Sequence, residues 1–438
     1  MQTVYTQNHL LSIISSHITH AALFALVLSL SCFNRYFLIS FSENSLTWNA
    51  GPLFMFTVLT VWLVFLSVQK LCTPSKSYLP WFYGSLILLL FFVTNERELI
   101  YFLALVFISL LWLSTPAVRR LSPYLLTFIA CLFSMWGIAQ FSLQQDLGLY
   151  QLGETHLSAD RSAIAKFSLS LAGDGTQKVV RAYGPFSHAN TYGGILALGF
   201  ATSLQLLRVY QKKLLLPLSF ILLLGIVVSF SRSAWLAAFI SLLIFTFIKP
   251  AHLTRKITRV MLAIFVTTLL LFTPLIAYRM SDTEDRAASE RLASAHRATH
   301  LLSLKGIGVG SYEKTLRSYM DSQDIAYNPW EVAPAHSAPL LFAVEWGIVL
   351  TVLLSISLAI PAFRIFQYRA WHWLLPLIPL LALDHYFATQ LPPLLFLLAF
   401  LTALSSPMRV QDNCTHYSST VSSGSTNELP GSTGVTTM

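Results

Sequence analysis

Charge is what this sequence has least of. Lys, Arg, Asp and Glu make up 11% of the 438 residues, against 55% hydrophobic residues. A soluble domain carries about a quarter of its residues charged, so this balance excludes one. With a mean hydropathy of +0.63, the chain reads as a polytopic membrane protein. Cysteine is scarce too. Cys32, Cys72, Cys131 and Cys414 are scattered over apolar segments and the C-terminal tail, which excludes a disulfide framework and a cysteine metal site. No repeat of fixed period runs through the chain, and its hydrophilic stretches show no obvious metal-ligand cluster; "DTED" at 282–285 reads better as an acidic helix start than as a metal site. The first apolar segment has neither a basic n-region nor a small-residue cleavage site, so it is expected to be a retained span.

What is present is a succession of apolar runs near the ~20 residues that cross a bilayer. They fall at about 18–34, 51–69, 79–94, 99–115, 122–142, 187–207, 214–230, 233–248, 257–278, 338–362, 371–386 and 391–405. Each is expected to be a helix, because an open strand edge leaves backbone groups unsatisfied in lipid. The predicted class is all-α, with twelve spans. The predicted order is N-terminal helices (1–142), a first long loop (143–186), central helices (187–278), a large loop (279–337), C-terminal helices (338–406) and a Ser/Thr/Gly-rich tail (407–438) expected to be disordered.

Lys and Arg decide the orientation. With the N-terminus inside, the inner loops hold Lys70, Lys76, Arg119, Arg120, Arg208, Lys212, Lys213, Lys249, Arg255, Lys256, Arg259, Arg364 and Arg369 and no Asp or Glu. Both termini are then cytoplasmic, both long loops face outward, and the basic balance describes a membrane face with no call for nucleic acid. Long loops in a compact protein are usually functional, so chemistry is expected on the outer side.

Four clusters and a Gly-rich turn stand there. "RAYGPFSHANTYG" at 181–193 breaks at Gly184-Pro185, and Ser187 is placed to cap a helix beginning near His188. Arg181, Tyr183, His188 and Asn190 then sit at the outer interface, and Gly193-Gly194 one turn in permit close approach. "SFSRSAW" at 229–235 holds Arg232 at a tight outer hairpin, where it faces water or an anion, or anchors the interface beside Trp235. "SDTEDRAASERLASAHRATHLL" at 281–302 predicts a surface helix with Arg286, Glu290, Arg297 and His300 on one face and Ala288, Leu292, Ala295 and Leu302 opposite; it also carries Arg291. "KGIGVGSY" at 305–312 lacks the flanking signature of a phosphate loop and reads as a turn. "NPWEVAPAHSAPLLFAVEWGIV" at 328–349 brings His336 to a span entrance, with Glu345 and Gly347 inside the apolar run; Glu345 is placed either to orient His336 or a sugar, or to pack helices.

The order "RAYGPFSHANTYGGILALG", "SFSRSAWLAAF", "GIGVGSY", "HSAPLLFAVEWGIV", interleaved with apolar segments, resembles the O-antigen ligase and polymerase superfamily over roughly residues 130–355. The family often has His-Pro-Asn and His-Asn where this chain has His188-Ala189-Asn190 and His336-Ser337. The resemblance implies a bacterial inner-membrane glycosyltransferase that moves a glycan from an undecaprenyl diphosphate carrier to lipid A core, to a glycan or to a protein. It implies a functional His at His336 and functional arginines at Arg181 and Arg232. The chemistry suits these residue types. A departing lipid diphosphate wants planar, permanently charged donors, the role expected of Arg181 and Arg232 with Arg291 and Arg297 as helpers. The acceptor hydroxyl wants a base that titrates near neutrality, which fits His336. His188, Asn190, Tyr183 and Glu345 are candidate substrate contacts. No cofactor is expected, and the displacement is expected to invert the anomeric centre without a metal. A secondary transporter of polysaccharide precursors, or a scaffold of an assembly complex, are the readings from other classes; charges crowded at the outer face instead of mid-membrane, and the absence of related halves, weigh against transport.

Overall fold

The computed structural model describes residues 116–405, apart from 153, 162–163, 171–175, 211–213, 248–251, 272, 274–286, 309, 353–354, 356–364 and 366–369. The spans expected before residue 116 and the tail at 407–438 lie outside the described residues, as does the acidic "DTED". The described part is predominantly helical. Its helices are α1 Pro116–Leu143, α2 Ala189–Tyr210, α3 Leu215–Val228, α4 Arg232–Phe247, α5 His252–Leu271, α6 Ala287–Thr299, α7 Tyr312–Ser322, α8 Ala338–Glu345, α9 Leu377–Leu383, α10 Tyr386–Thr389 and α11 Leu391–Leu404. Between α1 and α2 an antiparallel hairpin adds two strands to the expected all-helical picture: β1 Lys166–Ser170 and β2 Thr176–Val180, with Lys166 opposite Val180.

Two described helices are long and apolar enough to cross a membrane, Arg120–Leu143 and Ala189–Tyr210, at the runs predicted for 122–142 and 187–207. Shorter apolar helices occupy the runs at 214–230, 233–248 and 391–405. Two predicted spans are interrupted. The run at 338–362 stops at Glu345 and turns through Gly347, whose φ of +83° favours glycine. The run at 371–386 breaks into a 3₁₀ turn at Trp371–Leu374, the short α9, and an extended Asp384. In both places the backbone leaves the helix where polar groups have other partners.

Helix α2 is the axis of the bundle and packs against α1, α3, α4 and α11. Buried on nearly all sides, it contains the small residues such an axis needs. Gly199 lies against Ala130 of α1, Gly193 against the Ser229–Ser231 turn, and Gly194 directly beneath the Tyr386 hydroxyl. A Cβ at Gly194 would overlap that hydroxyl and push the 384–386 segment off α2. Overfilling a packed site costs about 1–3 kcal/mol, so Gly194→Ala is expected to lower the thermal unfolding midpoint in detergent and to impair whatever the 384–386 segment does. An unchanged midpoint would mean that Tyr386 moves aside freely.

Helix α6 forms where the amphipathic pattern predicts it, but the face turned inward lies between the two predicted stripes. Ser294, Ala298 and Leu301 are buried, Arg291 and Arg297 are half-buried, and Leu292 is 75% exposed. The expected stripe of Ala288, Leu292, Ala295 and Leu302 assumed an apolar surface underneath. Instead α6 packs on α8 and meets polar partners, Asp384 near Arg291 and Tyr312 near Arg297.

Candidate active site

The first long loop is stitched to the bundle before it delivers Arg181. Glu154, fully buried, accepts hydrogen bonds from Trp136 Nε1 (3.0 Å), Gln140 Nε2 (2.6 Å) and the backbone N–H groups of Leu147 (2.9 Å) and Leu149 (2.6 Å). Four donors offset the cost of burying a carboxyl group. Gln140 then passes the order along: its Oε1 accepts from Tyr183 N (3.1 Å) and Gly184 N (2.7 Å), and its Nε2 donates to Gly184 O (3.0 Å). That fixes the Gly184-Pro185 break, with Gly184 at φ +58° over the Tyr192 ring. A separate clasp closes the loop tip, where Asp146 accepts from the Tyr150 hydroxyl, His156 Nδ1 (2.6 Å) and Leu157 N (3.0 Å). Burial raises the Asp146 pKa, but these hydrogen bonds outweigh it and hold it below the usual carboxylate range.

Arg181 follows β2 and is only 6% exposed. Its Nε donates to Ser229 O (2.7 Å) and its Nη2 to Asn190 Oδ1 (2.6 Å), while Ala182 N donates to Val228 O (3.1 Å). The loop thus satisfies carbonyls at the end of α3 that have no partner within the helix. The α3–α4 turn is tight because Phe230 adopts a left-handed φ of +49°, uncommon for a bulky residue. The Phe230 ring, buried between Phe141 and Trp235 at centroid distances of 5.8 Å each, holds it there. Arg232, half-exposed, opens α4 just after this turn.

The cap of α2 differs from expectation. The helix begins at Ala189, and Asn190 N donates to His188 Nδ1 (3.1 Å), so His188 caps it in place of Ser187. Asn190 then bridges outward: it accepts from Arg181 and donates through Nδ2 to Asp384 Oδ1 at 3.0 Å.

Asp384 is the hub that sequence reading missed. Only 2% exposed, it accepts from Asn190 and, at Oδ2, from the Ser233 hydroxyl of α4, and it lies 3.8 Å from the Arg291 guanidinium of α6. Its neighbour His385 places its ring 5.3 Å from that of His336, at 52°. His188 completes the circle, within the electrostatic reach of Arg181, Arg291, His336 and His385. The signal was available in the sequence: "LALDHYFATQ" puts Asp and His together at the end of an apolar run, where a membrane segment does not carry them without a use.

His336 stands just before α8 and half-buried, and its Nδ1 has no hydrogen-bond partner among the described residues. Burial chiefly, and then the positive charge of Arg291, lower its pKa from the ordinary histidine value. The helix that carries it is latched from behind. Ile307 N and Gly308 N donate to Val344 O (3.0 Å) and Glu345 O (2.9 Å), and Ile348 N donates to Ser303 O (3.0 Å). Gly306 and Gly347 pass so closely that a Cβ on either would meet the other's backbone. The "KGIGVGSY" turn is therefore a backbone latch for α8.

The site residues read from the sequence separate into two groups. Arg181, His188, Asn190, Arg291 and His336 gather around Asp384 and His385, and Arg232 opens α4 next to Ser233. Tyr183 is buried with its hydroxyl accepting from Ala165 N (2.6 Å). Arg297 and Glu345 lie on the far side of α6, with Glu345 Oε1 3.4 Å from the N–H that opens α7. Among the described residues, no three His, Cys, Asp or Glu side chains are arranged to hold a metal ion.

Residues 217–355 match the family model of the O-antigen ligases. No curated protein and no solved structure matches the chain. The matched stretch runs from α3 past α8 and includes Arg232, Arg291 and His336, so the superfamily resemblance stands on the part of the chain that carries two of these arginines and the imidazole whose Nδ1 has no partner among the described residues. Arg181, Asn190 and Asp384 lie outside it and reach the same place through the fold.

Proposed function

Taking residues 217–355 as an O-antigen ligase domain, we propose that the protein is a membrane glycosyltransferase of the bacterial inner membrane. It transfers a glycan from an undecaprenyl diphosphate carrier to an acceptor hydroxyl, on lipid A core or on another glycan or protein, at the outer face. The observation that carries this reading is the convergence of Arg181, Arg291 and His336, from three separate segments, around the single carboxylate of Asp384. Guanidiniums brought from two separate segments to one half-buried place are the planar, permanently charged donors that suit a diphosphate. A half-buried neutral imidazole beside it suits a base for the attacking hydroxyl.

The reaction follows from that arrangement. The acceptor oxygen loses its proton to His336 as it bonds to the anomeric carbon, and the bond from that carbon to the diphosphate oxygen breaks. The electron pair leaves with the lipid diphosphate, whose growing charge Arg181, Arg232 and Arg291 stabilise. One displacement inverts the anomeric centre.

The test is transfer in liposomes, using purified protein, lipid-linked oligosaccharide extracted from the source organism and that organism's lipid and protein acceptors. Arg181→Ala and Arg232→Ala are expected to lose about 10²-fold or more in kcat/KM, as removal of a preorganised charge donor does. Normal transfer and donor binding by both variants in folded form would defeat the proposal; a protein that instead carries the intact donor across the bilayer would be a transporter.

A further inference from the structure

We propose that His385 is a positioning residue for His336, holding its ring in one tautomer. This rests on the transferase reading above and assigns a role to a residue that reading does not use.

Thr389 Oγ1 lies 3.0 Å from His385 Nδ1 and 3.3 Å from His385 O. When the hydroxyl proton goes to the carbonyl, the Thr389 oxygen accepts from Nδ1–H and the ring keeps a lone pair on Nε2, the tautomer this proposal assigns. The His336 ring is 5.3 Å away, and its buried Nδ1 has no partner among the described residues. Asp384, the carboxylate that would otherwise orient a catalytic imidazole, is engaged by Asn190, Ser233 and Arg291. Among the described residues, the imidazole of His385 is the acceptor placed to face His336 Nδ1–H. Catalytic hydrogen bonds that are open in an empty site close when substrate binds.

The consequence is an assigned tautomer. His336 with Nδ1–H directed at His385 Nε2 presents its own Nε2 to the acceptor hydroxyl. When the O–H bond breaks and the glycosidic bond forms, that proton lands on His336 Nε2. The Nδ1–H bond to His385 Nε2 steadies the imidazolium so formed, and the Nε2 proton then leaves to water, restoring the Nδ1–H tautomer for the next turnover. Among the described residues, the charged and titratable groups around His385 are Arg291 from α6, His188 at the start of α2, His336 before α8, and Asp384 and Tyr386 beside it. The positive charge of Arg291 favours that release.

The experiment uses the full chain in liposomes with the extracted lipid-linked oligosaccharide. His385→Asn keeps a donor for Thr389 but has no ring Nε2 to accept from His336; His385→Gln serves if the first variant folds poorly, and thermal unfolding shows which are folded. The expected result is a fall in kcat of about tenfold or more, with donor KM within about twofold of wild type, an altered pH profile, and partial rescue of His385→Gly by added imidazole. A folded His385→Asn or His385→Gln with wild-type kcat and pH profile overturns the inference while leaving the transferase intact. A loss confined to KM, with no imidazole rescue, also overturns it and makes His385 a binding contact. A wild-type protein that binds donor and transfers nothing removes the transferase reading itself.

Discussion

His336→Ala is expected to slow glycan transfer by about 10² to 10⁴, the range over which a positioned general base acts, while donor binding stays within a few-fold. The two quantities separate because the cations proposed to hold the diphosphate, Arg181 and Arg291, come from other segments and bond Ser229, Asn190 and Asp384. The pH profile is the sharper readout. Burial and the Arg291 charge lower the His336 pKa below its ordinary value of 6.5, so the neutral, proton-accepting form persists into mild acid. The acid limb of kcat is therefore expected below pH 6.5. Removing Arg291 takes away one of the two influences that depress the pKa, so Arg291→Gln is expected to move that limb upward as it weakens donor binding. Initial rates across pH 5 to 8 at saturating donor would check both. An acid limb well above 7 in wild type, or a His336→Ala protein that transfers at the normal rate, would remove His336 from the chemistry.

How much of this was legible beforehand depends on the kind of signal. Arg181, His188, Asn190 and His336 were readable because each is a polar residue beside an apolar run, where its presence demands a use. The helices α1, α2, α3, α4 and α11 were readable from apolar length alone. The orientation of α6 was not, because a helical wheel shows a stripe without saying what lies under it, and here a polar partner at Asp384 drew Arg291 inward while Leu292 stayed outside. Arg297 and Glu345 looked like members of the site because they lie near Arg291 and His336 in sequence. On a helix, however, residues six apart, such as Arg291 and Arg297, serve different neighbours, and at the end of α8 Glu345 faces the start of α7. Asp384 was hidden by the way the segment was divided, since assigning 371–386 to a continuous span treated its one acidic residue as a flaw in an apolar run.

That residue yields the second large effect. Asp384→Ala is expected to lower the unfolding midpoint in detergent and to abolish most transfer, yet to leave donor affinity unchanged or improved. Its side chain satisfies Asn190 Nδ2 and the Ser233 hydroxyl, and it is the counter-charge for Arg291. Removing one partner of a buried charged network typically costs about 3–5 kcal/mol, because what remains is uncompensated; the 3.8 Å separation and the half-exposure of Arg291 put this case at the lower end. The geometry suffers too, since Asn190 links Arg181 to Asp384 and loses its outer anchor. Binding runs the other way. On the proposed reading the carboxylate competes with an incoming diphosphate for Arg291, and deleting it frees that guanidinium for the donor. Asp384→Asn, which keeps the shape and an acceptor for Ser233, is expected to recover most of the stability and less of the transfer. Measuring unfolding, donor binding and transfer on the two variants separates these contributions. If both variants bind donor more weakly than wild type, Asp384 contacts the glycan or its acceptor directly, and its place as a counter-ion to the arginines would have to be abandoned.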